Sequence, residues 1–403
     1  MKKGLTITGL IMVFVAILIV SINPRPGAPS PAPYSGGSSR LSQLLSDDGV
    51  TGYASATEPR TFRFPDDHGP HPDFRNEWWY LTGNLDGQNG ERFGYELTIF
   101  RFLLMPSVRR QQASRWRSNQ VYIGHFAITD VGNEQFHVAQ RFSRGSFGLA
   151  GARAEPFRVW VEDWSIAAGS AAAMTWHIQA ADHDMLVDLN LTPLKPPVLN
   201  GDNGLSIKSA EPGNASYYYS ISRLQTEGIL QIGAQRFAVS GFSWLDREWS
   251  SSALSADQAG WDWFALQLDD GSELMLYQLR QLDGSRDPVS AGTWISRSGD
   301  SDHLDAGEFR IEVTQFWDSP LGGRYPSGWQ VSVPGLDLQL DVQPVINDQE
   351  LSTTVLYWEG AVDVSGKRNG ETLGGRGYVE LTGYAGNAGR ETSSANAGAQ
   401  EDR

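Results

Sequence analysis

The sequence predicts an all-β chain built from two antiparallel barrel-like domains, on three observations. Apolar residues recur at every second position in segment after segment, the signature of half-buried strands. Fourteen Trp, 13 Tyr and 17 Phe accompany 44 Gly and 20 Pro, which suits broad side chains on strands joined by many turns. Beyond short pieces such as 40–45, no amphipathic helix and no glycine-rich phosphate loop interrupts the pattern, so nucleotide-binding α/β folds are disfavoured.

The elements follow in chain order. Lys2 and Lys3 precede an apolar run from Leu5 to Ile22, the charged and hydrophobic regions of an export signal. Its length also suits a span, so residues 1–22 read either as a cleaved signal peptide or as an anchor in the inner membrane, with the rest in the periplasm. The chain has no cysteine, which removes a lipoprotein anchor. Residues 23–60 begin as a Pro, Ser and Gly linker. From Thr61 onward alternation dominates: Phe93, Tyr95, Leu97, Ile99; Phe157, Val159, Val161; Met185, Val187, Leu189, Leu191; Phe309, Ile311, Val313; Trp329, Val331, Val333; and Leu336, Leu338, Leu340, Val342. A faint repeat relates Trp79-Tyr80, followed by Leu85-Asp86-Gly87, to Trp263-Phe264, followed by Leu268 to Gly271, with register differing by one residue. Two unrelated hairpins with D-G turns would look the same. Because residues 61–384 exceed one ordinary domain, duplication is expected, with domains at 61–250 and 251–384 and a frayed tail at 385–403.

Composition excludes several functions. Lys plus Arg is 32 against 47 Asp plus Glu, a net charge of -15 that repels a phosphate backbone, so no nucleic-acid partner is expected. The lack of cysteine also removes disulfides, thiolate catalysis, cysteine-ligated zinc and iron–sulfur clusters. There is no G-x-S-x-G elbow for a serine hydrolase.

Two segments concentrate the chemistry. In FPDDHGPHPDFRNEWWYLTGNL (64–85), His68, His71 and Glu77 form a polar group that reads either as a metal site or as a turn-rich entry loop. Gly69, Pro70 and Pro72 oppose a regular helix that would aim both imidazoles one way, which favours the loop; no metal and no cofactor are expected. In SGFSWLDREWS (240–250), Asp246 lies among Trp244, Leu245 and Trp249. Desolvation by indoles would raise its pKa and make it a general acid. The competing reading is a structural ion pair of Asp246 and Arg247 at a strand end.

The segments HGPHPDFRNEWWYLTGNL (68–85), SYYYS (216–220), SGFSWLDREWS (240–250), WDWFALQLDDGSELMLYQLR (261–280) and YWEGAVDVSGKRNGETLGGRGYVELTGY (357–384) together resemble the AttH and carotenoid 1,2-hydratase (CrtC) family, and more closely its secreted AttH branch. The resemblance implies two tandem lipocalin-like β-barrels and a hydrophobic isoprenoid- or lipid-like ligand. It also implies that Asp246 protonates an alkene, which is then hydrated or isomerised, a hydro-lyase activity. Departures fall beside the acid: hydratases carry Tyr where this chain has Trp244, and His and Trp where Tyr217 and Tyr219 fall. The expected ligand-binding residues are Trp78, Trp79, Tyr217, Tyr219, Trp244, Trp249, Trp261 and Trp263, with Trp78, Trp79, Trp261 and Trp263 at a shared interface. The alternatives are a non-catalytic carrier of hydrophobic ligands and an envelope assembly component; the sequence names no protein partner.

Overall fold

In the computed structural model the described residues are 52–106, 118–169, 175–251 and 254–385, and within them the chain is almost wholly strand. The export segment, residues 40–45, the Pro-rich stretch and the tail beyond 385 lie outside the described residues. No helix among the described residues is long and apolar enough to cross a membrane.

Among the described residues thirteen strands form the first sheet and ten the second, and the centre of the first fixes the site. β1 (Asn76–Gly87) pairs on one side with β2 (Arg92–Leu103) and on the other with β13 (Gln235–Ser250), which pairs in turn with β12 (Ala215–Ile232). The second sheet repeats that wiring. Its first strand, β14 (Gln258–Leu268), lies between β15 (Glu273–Gln281) and the last strand, β23 (Glu371–Leu381), which pairs with β22 (Leu356–Arg368). All pairings are antiparallel, and first-to-last pairing curls each sheet into a barrel, the tandem lipocalin-like fold.

Strand parity sorts the described buried side chains into three large cores, beside a small cluster of Leu351, Val355 and Tyr357. Inside the first barrel lie Trp79, Leu81 and Leu85 of β1 with Tyr95, Leu97 and Ile99 of β2 and Leu245 and Trp249 of β13. Phe264, Leu266 and Leu268 of β14 fill the second barrel with Trp329, Trp358, Val362 and Val379. The third core is built by the opposite faces, where Tyr80, Tyr218 and Trp244 of the first sheet meet Trp263, Met275, Tyr277, Ala361 and Tyr378 of the second. Tight approach between the barrels depends on Gly94, since a Cβ there would sit 2.8 Å from both the Ala361 Cβ and the Tyr378 hydroxyl. Polar links seal the rim: Arg376 with Asp86 at 2.8 Å, Asn84 Nδ2 donating to Gly377 O at 3.0 Å, and Glu273 buried between Arg223 and Lys195.

Residues 53–60, read from sequence as linker, are tied to the first barrel. The Tyr53 hydroxyl donates to Leu103 O, Ala54 N–H donates to Asp73 O, and Arg60 pairs with Asp67. Strand β18 (Arg310–Asp318) takes the predicted alternation of Ile311 and Val313 but is an exposed edge, and Val313 faces solvent.

Candidate functional site

A cleft opens on the face where the barrels meet. Its lining is aromatic, with Trp78, Tyr80, Phe100, Tyr218, Trp261, Trp263 and Tyr357, and carries the carboxyl groups of Asp246, Glu248, Glu359 and Glu380 and the amine of Lys208. Its cavity volume is about 80 Å³, within about 700 Å³ of atom-free space that includes the solvent-open side. Trp78 and Trp261 are half-buried while Tyr218, Tyr80 and Trp263 are buried.

Asp246 stands on β13 directly opposite Tyr80 of β1 and Ser220 of β12. It is 4 % exposed and makes no ion pair among the described residues. Oδ1 accepts from Ser220 Oγ at 2.5 Å and Trp244 Nε1 at 2.6 Å; Oδ2 accepts from the Tyr218 hydroxyl at 2.5 Å. Burial pushes its pKa up to about 7, against the lowering effect of Ser220, Tyr218 and Trp244, with Glu248 adding a little repulsion. Since Oδ1 is held by two donors, the proton of the neutral acid belongs on Oδ2, where the Tyr218 oxygen turns from donor to acceptor. The Tyr218 hydroxyl, already receiving the Trp263 indole N–H at 3.1 Å, faces that oxygen.

Around Asp246 the aromatic rings are locked against one another. Trp263 meets Tyr80 edge to face, with centroids 5.1 Å apart, and Trp244 at 6.4 Å. Lys208 Nζ sits 3.0 Å from Glu248 and 4.6 Å from the Tyr277 ring centre, so its charge is already matched. On the second sheet Glu359 Oε1 accepts from the Tyr80 hydroxyl. Burial and the charges of Glu380 and Glu96 hold Glu359 well above the carboxylate range; burial pushes Glu380 and Glu96 up to about 8. The Tyr357 hydroxyl is 2.7 Å from Nδ1 of His125, a ring that burial keeps neutral with a pKa of about 3.

The structure brings together Asp246, Trp244, Trp78, Trp261 and Trp263 from the sequence-predicted set. It separates Trp79, Trp249, Tyr217 and Tyr219, which point into the first barrel. The reason is the two-residue period: of the three tyrosines in SYYYS only Tyr218 shares the face of Asp246, along with Ser216 and Ser220, and of the Trp78-Trp79 pair only Trp78 does. Trp79 is therefore a core residue and not part of the interface.

His68, His71 and Glu77 do assemble, away from the cleft, at the end of the first barrel. Glu77 is wholly buried between Arg101 and Arg247, whose charges outweigh burial and hold its pKa far below the usual range. His71 stacks flat on Trp249 at 3.7 Å and reaches Asp67 at 3.1 Å. His68 lies 2.7 Å from the Tyr219 hydroxyl, and burial followed by the Arg247 charge lowers its pKa to about 4. Paired charges and stacked rings make this a structural plug, with the ring nitrogens of His68 and His71 meeting side chains. Among the described residues no His, Asp and Glu cluster is arranged to hold a metal ion.

Sequence reasoning missed Tyr80, Phe100, Lys208, Tyr218, Glu248, Tyr357, Glu359 and Glu380. Parity alone would have found Glu248, two residues from Asp246 on the same strand. Nothing local in the sequence indicates that β22 and β23 fold back over β1 and β13 to deliver Glu359 and Glu380.

Two curled sheets packed face to face around an aromatic, acid-bearing cleft define a tandem lipocalin-like protein. The chain belongs to the AttH-like family, whose profile matches residues 55–384. It is similar to the crystal structure of an AttH protein from Nitrosomonas europaea at 34% identity and a TM-score of 0.73, covering 82% of this chain and 100% of that one. It also shares its fold with kievitone hydratase from Nectria haematococca, at 15% identity and a TM-score of 0.63 over 82% of this chain and 97% of that one. Among curated proteins none matches.

Proposed function

We propose that the cleft binds a hydrophobic unsaturated molecule, of isoprenoid or lipid kind, and that Asp246 protonates its alkene. The observation that carries this reading is the placement of Asp246: buried in an aromatic cleft, without an ion pair among the described residues, and held at a pKa near neutrality. A neutral carboxylic acid shielded from bulk water is the group that alkene protonation requires. The neighbouring hydratase fold agrees with it.

The step balances on one residue. The Oδ2 proton passes to the less substituted alkene carbon, leaving a tertiary carbocation and the Asp246 carboxylate. The faces of Trp263, Tyr80 and Tyr218 stabilise the cation. Water then adds and returns its surplus proton to Asp246, completing a hydration; removal of a different proton by the carboxylate gives the isomerised alkene. Ser220, Trp244 and Tyr218 stabilise the carboxylate between the two transfers. On the strength of Lys2, Lys3 and the run from Leu5 to Ile22, the same reading places the protein across the inner membrane.

The test begins with mass spectrometry of the apolar extract from protein purified without detergent, followed by turnover of the compound found. Asp246→Asn keeps size and polarity but has no acidic proton. It should retain binding and lose turnover by on the order of 10² or more. Undiminished turnover in this variant rules the role out.

A further inference from the structure

The two walls of the cleft differ in chemistry: the proposed alkene reaction takes its acid and the three donors that hold it from the first-sheet wall, and from the second only the Trp263 ring. On the other wall Glu359 and Glu380 stand opposite each other on β22 and β23, and Glu96 of β2 adds its charge from the first sheet. Glu359 is fully buried, lines the cleft, and spends one oxygen on Tyr80; its other oxygen, Oε2, has no hydrogen-bond partner among the described residues. Lys208, the one cation in the lining, is committed to Glu248.

Buried carboxyl groups without a counter-charge are costly, and natural interiors pair them. Here the Glu359 side chain borders space ringed by Trp78, Tyr80, Phe100, Trp261 and Tyr357, with its Oε2 buried behind that lining and without a hydrogen-bond partner among the described residues. Aromatic faces with a carboxylate at the end are the chemistry that recognises an organic ammonium group: the rings attract the cation through their quadrupoles, and the acid supplies the charge. A phosphate or carboxylate headgroup would find no free counter-charge among the described lining residues, since Lys208 is committed to Glu248.

We propose that the wall formed by Glu359 and Glu380 is a binding subsite for an organic ammonium group, so that the ligand of this cleft is a molecule with an apolar body and a cationic nitrogen. This rests on the cleft being a ligand site, as proposed above, and adds the charge of the ligand's polar end. Burial, with repulsion from Glu380 and Glu96 on Glu359 and from Glu248 and Asp246 on Glu380, favours the protonated form of both glutamates. An entering cation therefore displaces protons to the solvent.

Tryptophan fluorescence of the full chain, titrated with octyltrimethylammonium, octan-1-ol and octanoate, tests the proposal. The ammonium compound should bind at least tenfold more tightly than the alcohol, with octanoate weakest, and Glu359→Gln should collapse that preference while leaving alcohol binding in place. Equal or tighter binding of octan-1-ol to the wild-type chain overturns the proposal without recourse to any variant. So does an ammonium preference that persists in both Glu359→Gln and Glu380→Gln. Loss of turnover in Asp246→Asn is read separately on the extracted ligand, so either idea can fail while the other stands.

Discussion

Asp246 and Arg247 are consecutive in the chain, yet their side chains leave β13 on opposite faces: Arg247 ends 2.5 Å from Glu77 inside the first barrel, and Asp246 in the cleft between barrels. The ion pair that adjacency suggests does not form. Arg247 serves the barrel, stacking over the Trp79 ring at 3.9 Å and donating to Gly69 O at 2.6 Å.

This division of labour predicts opposite mutant phenotypes. Arg247→Met leaves Glu77 buried with only one guanidinium, and should destabilise the fold by about 3–5 kcal/mol in urea denaturation, the usual scale for breaking a buried pair. Asp246→Asn should not destabilise it at neutral pH. The reverse pattern would mean that Asp246 is the structural partner after all.

Tyr218 sets the acidity of Asp246. Tyr218→Phe removes a 2.5 Å donor that favours the carboxylate, an interaction worth roughly 1.5–3 kcal/mol for a charged acceptor. The basic limb of a turnover–pH profile should therefore move upward by about one to two pH units. A profile that falls in height without moving would show that Tyr218 positions substrate and does not tune the acid.

Fold class was legible because alternation is a local property: the apolar residues of 93–99, 185–191 and 329–333 announce β2, the strand 185–193 and the strand 324–333 without reference to anything distant. Asp246 was legible as a candidate, since it lies between two indoles in a compact motif. What the sequence hides is which face of a strand meets which barrel. Consecutive aromatics such as Trp78-Trp79 and Tyr217-Tyr218-Tyr219 supply both faces with equally good side chains, so composition cannot choose between them. The faint repeat illustrates the point. Counted back from the last pairs before their turns, Asp86 with Arg92 and Gln267 with Glu273, Tyr80 is equivalent to Trp261 and not to Trp263, although it is the Trp263 ring that Tyr80 touches across the interface.

Membrane topology gives a further prediction. With Lys2 and Lys3 retained in the cytoplasm and Leu5 to Ile22 uncleaved, protease added to spheroplasts should cut within residues 23–51 and release a soluble fragment. Residues 53–60 should resist, because Tyr53, Ala54 and Arg60 are tied to the first barrel. Protection of the entire chain would refute export.

The last prediction concerns stability against pH, where the buried acids and the Glu77 plug act in opposite directions. Asp246 titrates near 3.8 when unfolded and at about 7 when folded. Between those values the native state holds a proton that the unfolded chain releases, so the native state binds more protons and stability falls as pH rises. The favourable contribution is fully present below about pH 4 and is lost by the time pH passes 7; the interval corresponds to about 4 kcal/mol at most. Glu96 and Glu380, pushed up to about 8, extend the decline into the mildly alkaline range. Glu77, depressed by Arg101 and Arg247, works the other way: its stabilisation is present above its unfolded value and is lost only in strong acid. Melting temperature should therefore peak on the acid side of neutrality and decline from about pH 6 to 9. Asp246→Asn and Glu96→Gln remove the ionisation that drives the decline, so each should melt higher than wild type at pH 8.5 and close to it at pH 4.5. Identical slopes for wild type and both variants between pH 5 and 9 would show that these carboxyl groups reach solvent on ionising and are not held neutral by burial.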